Sequence, residues 1–222
     1  DFKLQLCHMN IQEFPKKIAE NVILYSPDPT LYLVKDFISN KECQAFIKEF
    51  SNQSGADFIK TSDSKKSSLN NNTNHCFIDH NVDEILHDLS KRLSILAQIP
   101  IRNAEPYELI HYEKGEEPKL SFEAFDIDCV QDKKKLIKGG QRNLSTIFFL
   151  NEINEGSGIV FPKLQITIPA KQGDVLVLHN TIEASHQSEH SIIHPNSIHA
   201  PFPVHSESQL IGYLRFRENL LY

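Results

Sequence analysis

The chain has 222 residues, 40% of them hydrophobic and 23% charged, with a net charge of −6. These are ordinary values for one globular domain, and they exclude wholesale disorder, collagen-like repeats and a coiled coil. No apolar run of about 18 residues is present and the chain is acidic, so neither a membrane nor a nucleic acid is expected as a partner.

The opening residues, DFKLQLCHMN, show no basic start followed by an apolar stretch, so no secretory signal is read there. The four cysteines, Cys7, Cys43, Cys76 and Cys129, lie far apart with no CxxC pair. That pattern suits a reducing compartment, and a cytoplasmic, soluble protein is expected. Eleven histidines draw attention to metal chemistry.

Residues 1–30 read as an N-terminal extension and 31–222 as the domain. Leu31–Val34 is apolar and β-branched, a strand. Ser39-Asn-Lys-Glu42 is a capping box, and the helix it opens places Cys43, Phe46, Ile47 and Phe50 on one face. Residues 51–75 are rich in Ser and Asn and read as a long mobile loop. A second helix is expected from Val82 to about Ala97, capped by Asn81 with Glu84 at the reciprocal position. Its buried stripe is Ile85, Leu86, Leu89, Leu93 and Leu96, and Pro100 ends it.

After Pro100 the pattern turns to strands: Tyr107–Tyr112, Leu144–Leu150, Gly158–Phe161, the alternating Leu164, Ile166 and Ile168, then Val175–Leu178 and Leu210–Arg217. In the last of these, Leu210, Gly212, Leu214 and Phe216 face one way. Residues 127–141, ending in Gly139-Gly140, read as a second charged loop. Its lysines, Lys133, Lys134, Lys135 and Lys138, read as a solvated run. Two helices followed by six or more strands describe an α+β domain in which helices back a β-sandwich or barrel. Two long loops on such a barrel are expected to gate a site at its mouth.

Several stretches then fall in order: Tyr112-Glu-Lys-Gly-Glu-Glu, Phe122-Glu-Ala-Phe125-Asp126, Gly140-Gln-Arg-Asn-Leu-Ser-Thr146, Phe149-Leu-Asn151, Glu155-Gly-Ser-Gly158, Val160-Phe161-Pro162, Pro169-Ala-Lys171-Gln-Gly173-Asp174, Ser197-Ile-His199-Ala-Pro-Phe-Pro203-Val204 and Arg217-Glu218. In order and spacing these resemble the prolyl 4-hydroxylase branch of the iron(II)/2-oxoglutarate oxygenases, from about residue 30 onward. The resemblance implies a double-stranded β-helix, a jelly-roll barrel, backed by the N-terminal helices. It implies hydroxylation of prolyl or similar side chains in a peptide or protein, with iron(II), 2-oxoglutarate and oxygen.

That family holds iron with a His-x-Asp pair and a distal His, a facial triad that leaves positions open for 2-oxoglutarate and oxygen. A basic residue ten positions after the distal His neutralises the far carboxylate of 2-oxoglutarate. This chain departs from the pattern. The His-x-Asp position reads Ser121-Phe122-Glu123, the distal position is His199, and the basic position is Gln209. The resemblance therefore gives Glu123 and His199 as metal candidates, with Ser121 where a His is missing, and Tyr112 and Gln209 as cosubstrate candidates.

A neutral Ser hydroxyl is a poor iron ligand, and one carboxylate with one imidazole would lose the metal to water. A Gln amide donates a hydrogen bond but neutralises nothing. A charge-assisted bond contributes roughly 1.5–3 kcal/mol against about 1 for a neutral one, so this exchange alone weakens cosubstrate binding tenfold or more. His111 adjoins Tyr112 on a strand and is expected to face away from the interior. His179, His186, His190, His194 and His205 lie around His199 in sequence and would have to reach in from loops. Glu123 is expected to point inward, toward a metal or toward Ser121 or Gln209. Asn151, Gly158, Pro162 and Gly173 read as turn and barrel residues.

Two readings follow. One is an oxygenase working through an altered triad. The other is a catalytically silent pseudo-hydroxylase that binds a peptide or pairs with a partner subunit. The joint change at Ser121 and Gln209 favours the second, because without iron nothing requires 2-oxoglutarate to be held.

Overall fold

The structure, a computed structural model, describes residues 14–54, 75–153, 156–182, 190–205 and 207–221. In chain order its elements are β1 (Lys16–Ala19), β2 (Val22–Pro27), β3 (Thr30–Val34), α1 (Asn40–Ser54), β4 (His75–Ile78), α2 (Glu84–Ala97), β5 (Tyr107–Tyr112), α3 (Val130–Leu136), β6 (Arg142–Phe149), β7 (Ser157–Phe161), β8 (Ile166–Ala170), β9 (Val175–His179), β10 (Thr181–Ile182), β11 (Ile192–Ile193), β12 (Ala200–Pro201) and β13 (Gln209–Arg217). Eight strands form one antiparallel sheet in the order β1-β2-β3-β9-β6-β13-β5-β4. A second sheet has the order β12-β7-β8, and β10 pairs with β11. Residues 16–27, which the sequence places before the domain boundary, are two further strands of the large sheet.

The near-continuous apolar run of β6 is explained by cover on both faces. Ile147 and Phe149 enter a core with Ile159, Phe161 and Ile168 of the small sheet. Leu144 and Phe148 point the other way, into a core with Cys43, Phe46 and Phe50 of α1 and Leu86, Leu89 and Leu93 of α2. Successive strand residues alternate faces, so one strand feeds both cores. On β13 the same alternation requires a glycine: a Cβ on Gly212 would lie 1.9 Å from a ring carbon of Phe148.

Helix α1 begins in the expected capping box. The Ser39 amide donates to the Glu42 carboxylate at 2.8 Å and the Glu42 amide donates to the Ser39 hydroxyl at 3.3 Å. Arg92 of α2 pairs with the same Glu42, which ties the two helices together. Helix α2 starts later than its sequence implies. Its cap is Asp83, whose carboxylate accepts from the Ile85 amide at 2.7 Å, while Asn81 sits in the preceding turn and donates to Asp79 at 2.8 Å. It ends at Gln98, in the left-handed region at φ 56°.

Residues 127–141 are not the open loop that their charge implies, since α3 occupies Val130–Leu136. Leu136 is buried, and Arg217 of β13 fixes the helix end. Its guanidinium donates to the carbonyls of Lys135 at 2.6 Å, Lys138 at 2.8 Å and Gly140 at 2.9 Å. A cation thereby satisfies carbonyls that a helix C-terminus leaves bare. Of the other expected loop, 51–54 close α1 and His75 opens β4; residues 55–74 lie outside the described residues. No helix among the described residues is long and apolar enough to cross a membrane.

Candidate active site and its ion pairs

Strand β13 carries the site. Its even-numbered residues enter the helix-side core, and Ile211 and Tyr213 enter the other. Gln209 and Arg215 share the parity of Ile211 and Tyr213, so they face the barrel interior. Register places Gln209 directly opposite Tyr112 on β5. Tyr112 shares a hydrogen bond with Tyr213, and burial pushes its hydroxyl up to about 12. Gln209 is 2% exposed, and its amide nitrogen finds no hydrogen-bond partner among the described residues. His111, one residue before Tyr112, lies 5.7 Å from the Phe50 ring on the helix side, away from the interior.

Ser121 and His199 are brought together by backbone pairing: each amide donates to the other's carbonyl, at 2.9 and 3.1 Å. The Ser121 side chain is exposed, whereas Glu123 and His199 are buried. His199 Nδ1 bonds the Ser197 carbonyl at 2.8 Å, Phe161 stacks on the ring, and Nε2 stands 3.7 Å from a Glu123 oxygen. Burial holds His199 below the ordinary histidine value, and the opposing pull of the Glu123 charge is smaller. The ring is therefore neutral near pH 7.

The main partner of Glu123 is neither Ser121 nor Gln209. It is Arg215, which donates from Nε to Glu123 and from Nη1 to Glu108. Burial alone would raise the Glu123 carboxyl, but the charge and hydrogen bond of Arg215, with the charge of Arg142, outweigh it and hold the group below its usual range. Burial likewise opposes the Arg215 charge, and the two carboxylates overcome it. The pairing continues outward. Arg142 grips Glu105 with two bonds, at 2.8 and 2.7 Å, and Arg217 reaches the same carboxylate at 2.9 Å. Arg142 also donates to the Glu123 carbonyl at 3.3 Å. Three guanidinium groups thus face three carboxylates in one connected array.

Among the described residues, the other candidate histidines stand elsewhere. His190 contacts Glu218 and His194 contacts Asp28, each at 3.0 Å; His179 and His205 are exposed; His186 lies outside the described residues. Among the described residues no three His, Cys, Asp or Glu side chains gather as a metal's donor set. The imidazole of His199 and a carboxylate already bonded to a guanidinium are the donors the structure assembles beside Ser121. Arg215 was missed in the sequence, although the signal was there. If Leu210, Gly212, Leu214 and Phe216 face one way, Arg215 must share the face of Gln209.

No family model matches the chain. Among curated proteins it is 28% identical over 138 residues to probable prolyl 4-hydroxylase 8 of Arabidopsis thaliana, covering 61% of this chain and 46% of that protein. It is 28% identical over 152 residues to prolyl 4-hydroxylase 5 of the same plant, covering 67% of this chain and 50% of that one. The chain thus spans about half the length of the curated relatives it matches. Among solved structures it superposes on the viral collagen prolyl hydroxylase of Paramecium Bursaria Chlorella virus-1 with a TM-score of 0.60 at 18% identity, over 84% of this chain and 88% of that one. A Pseudomonas putida prolyl-4-hydroxylase gives 0.52 at 13% identity, over 84% and 91%. These likenesses show the fold, a jelly roll. In sequence and in fold the chain is similar to the prolyl 4-hydroxylase branch of the iron(II)/2-oxoglutarate dioxygenases.

Proposed function

We propose that this chain is a pseudo-hydroxylase, a prolyl 4-hydroxylase-like barrel that binds a peptide or a partner subunit without turnover by the iron route. The observation that carries this reading is the seat of Arg215. Its guanidinium bridges Glu123 and Glu108, so the carboxylate at the metal position is already neutralised by a cation of the chain itself. The residues present do not fit iron(II). A facial triad takes two imidazoles and one carboxylate. Here one imidazole is replaced by an exposed hydroxyl, and the carboxylate is spent. They also do not fit a dianion at the Gln209 end, where the orphaned donor is a neutral amide. A barrel relieved of chemistry retains the surfaces its fold provides. Relatives named for prolyl residues and for collagen support a peptide or protein chain as what those surfaces take.

Anaerobic titration with Fe(II) and 2-oxoglutarate tests this. We expect no visible metal-to-ligand charge-transfer band and no thermal stabilisation at high excess of either ligand. A saturable band in the unaltered protein overturns the reading and returns the altered-triad oxygenase. The arrangement also sets which substitutions restore binding. Ser121→His with Gln209→Lys should remain silent while Arg215 holds Glu123, and adding Arg215→Leu should produce the band.

A further inference from the structure

We propose a second site, outside the barrel: a basic and apolar surface on α3 and the C-terminal segment that docks an acidic segment of another protein. Two adjoining cavities carry it. One, of about 360 Å³, is lined by Lys134, Lys135, Lys138, Arg142 and Arg217, with Glu105 as its carboxylate. Its floor is the Phe125 ring, with the three cations of Lys135, Arg142 and Arg217 at 5.2, 4.4 and 4.7 Å from the centroid. The other, of about 840 Å³, has Lys133 and Lys138 beside apolar walls from Ile127, Leu136, Ile137 and Leu220. Lys138 belongs to both.

Two features mark this surface. Ile137 is 86% exposed and Leu220 50% exposed, beside one another on the second cavity. Positive charge is concentrated here, four lysines within residues 133–138, in a chain whose net charge is −6. Asp132 pairs with Lys135 at 2.8 Å, Glu105 is shared by two arginines and Glu218 stands beside Gly140, yet Lys133, Lys134, Lys135, Lys138, Arg142 and Arg217 line the two cavities against Glu105 as the lining carboxylate. Complementarity therefore selects an acidic ligand. The concave apolar walls select a segment that also carries an apolar side chain, carboxylates in one cavity and the apolar group in the other. A bilayer would ask for a broad amphipathic face, whereas α3 runs only from Val130 to Leu136. The bonds from Arg217 to the end of α3 hold the surface in shape before binding, which lowers the ordering cost. The site shares Arg142, Arg217 and Glu105 with the ion array but includes neither Glu123 nor His199, and its test alters only Lys134, Ile137 and Lys138.

The test is fluorescence anisotropy on the unaltered protein with a fluorescein-labelled peptide of alternating Glu and Leu, against the same peptide with Gln for Glu. We expect saturable, salt-sensitive binding of the Glu peptide, weaker by about tenfold or more for the Gln peptide and for the Lys134→Glu/Lys138→Glu variant. Ile137→Asp should weaken it too. All these side chains are exposed, so the thermal midpoint should not move. Equal affinity for both peptides, or binding indifferent to charge reversal, overturns the proposal. So does an absence of peptide binding, including the case in which charge reversal alters only self-association in sedimentation or only binding to phosphatidylserine vesicles.

Discussion

The two faces of the large sheet are built on different physics. On the helix side, Phe46 meets Tyr107 edge-on at 4.9 Å and Phe148 at 5.3 Å, within a core of Leu, Ile, Phe and Cys. On the barrel side, the same β13 carries Arg215 into a buried array of guanidinium and carboxylate groups. Apolar packing is non-directional and degrades by degrees. A buried ion array is balanced, and removing one member leaves its partners charged, desolvated and alone.

That contrast breaks first at Arg215. Arg215→Ala should cost about 3–5 kcal/mol, read from urea unfolding, because Glu108 and Glu123 lose their counter-charge. Replacing the trio together, Arg215→Met with Glu123→Leu and Glu108→Met, should recover most of the loss. If the triple variant is no more stable than the single one, the array is not the self-contained ionic unit described here.

The next effect is acid sensitivity. Burial holds His199 and His80 below the ordinary histidine value. The unfolded chain then binds protons that the folded chain refuses, so stability present above about pH 6.5 declines as the pH drops below it. The carboxyls of Glu105 and Glu123 are opposed by burial but held down by the arginines, so their contribution is lost only as the pH falls further, below about 4.3. Urea midpoints from pH 8 to 3 should show decline in both windows. A midpoint flat down to pH 5 would mean that the buried rings take up protons without penalty.

The smallest effect lies at the edge of the apolar side. Ser39→Ala removes one half of the capping box on α1 and should cost about 1 kcal/mol, with no change in the acid profile above pH 5. A larger loss would show that Ser39 does more than close the helix end.

Much of the apolar face was legible in the sequence. Period 3.6 at Cys43, Phe46, Ile47 and Phe50 and period 2 along β13 are local signals, and they mark the buried residues correctly. Tyr107–Tyr112 was read to its ends. What escaped was non-local. Strands β1 and β2 carry little alternation, and β1 is exposed along its length, so only the pairing of β2 with β3 and of β1 with β2 identifies them. Helix α3 hides in a run of lysines because its end is fixed from 79 residues away, by Arg217 on Lys138. In the site, the changes at Ser121 and Gln209 were visible as departures from a resemblance, and Glu123 and His199 do come together. Their connection to Arg215 was not, since pairing across 92 residues leaves no mark in local composition.

Strand geometry turns the Gln209–Arg215 relation into a length. Six residues at about 3.3 Å each separate the inward amide from the inward guanidinium by roughly 20 Å along β13. The interior has a neutral end and a cationic end, and the cationic end is already matched by Glu108 and Glu123. A lysine introduced at 209 would add a charge with no local counterpart, while removing Arg215 would strand two. Neither single step leads toward an iron site without first passing through a less stable protein. The buried array therefore resists single changes of charge by its own electroneutrality, whatever the barrel's surfaces bind.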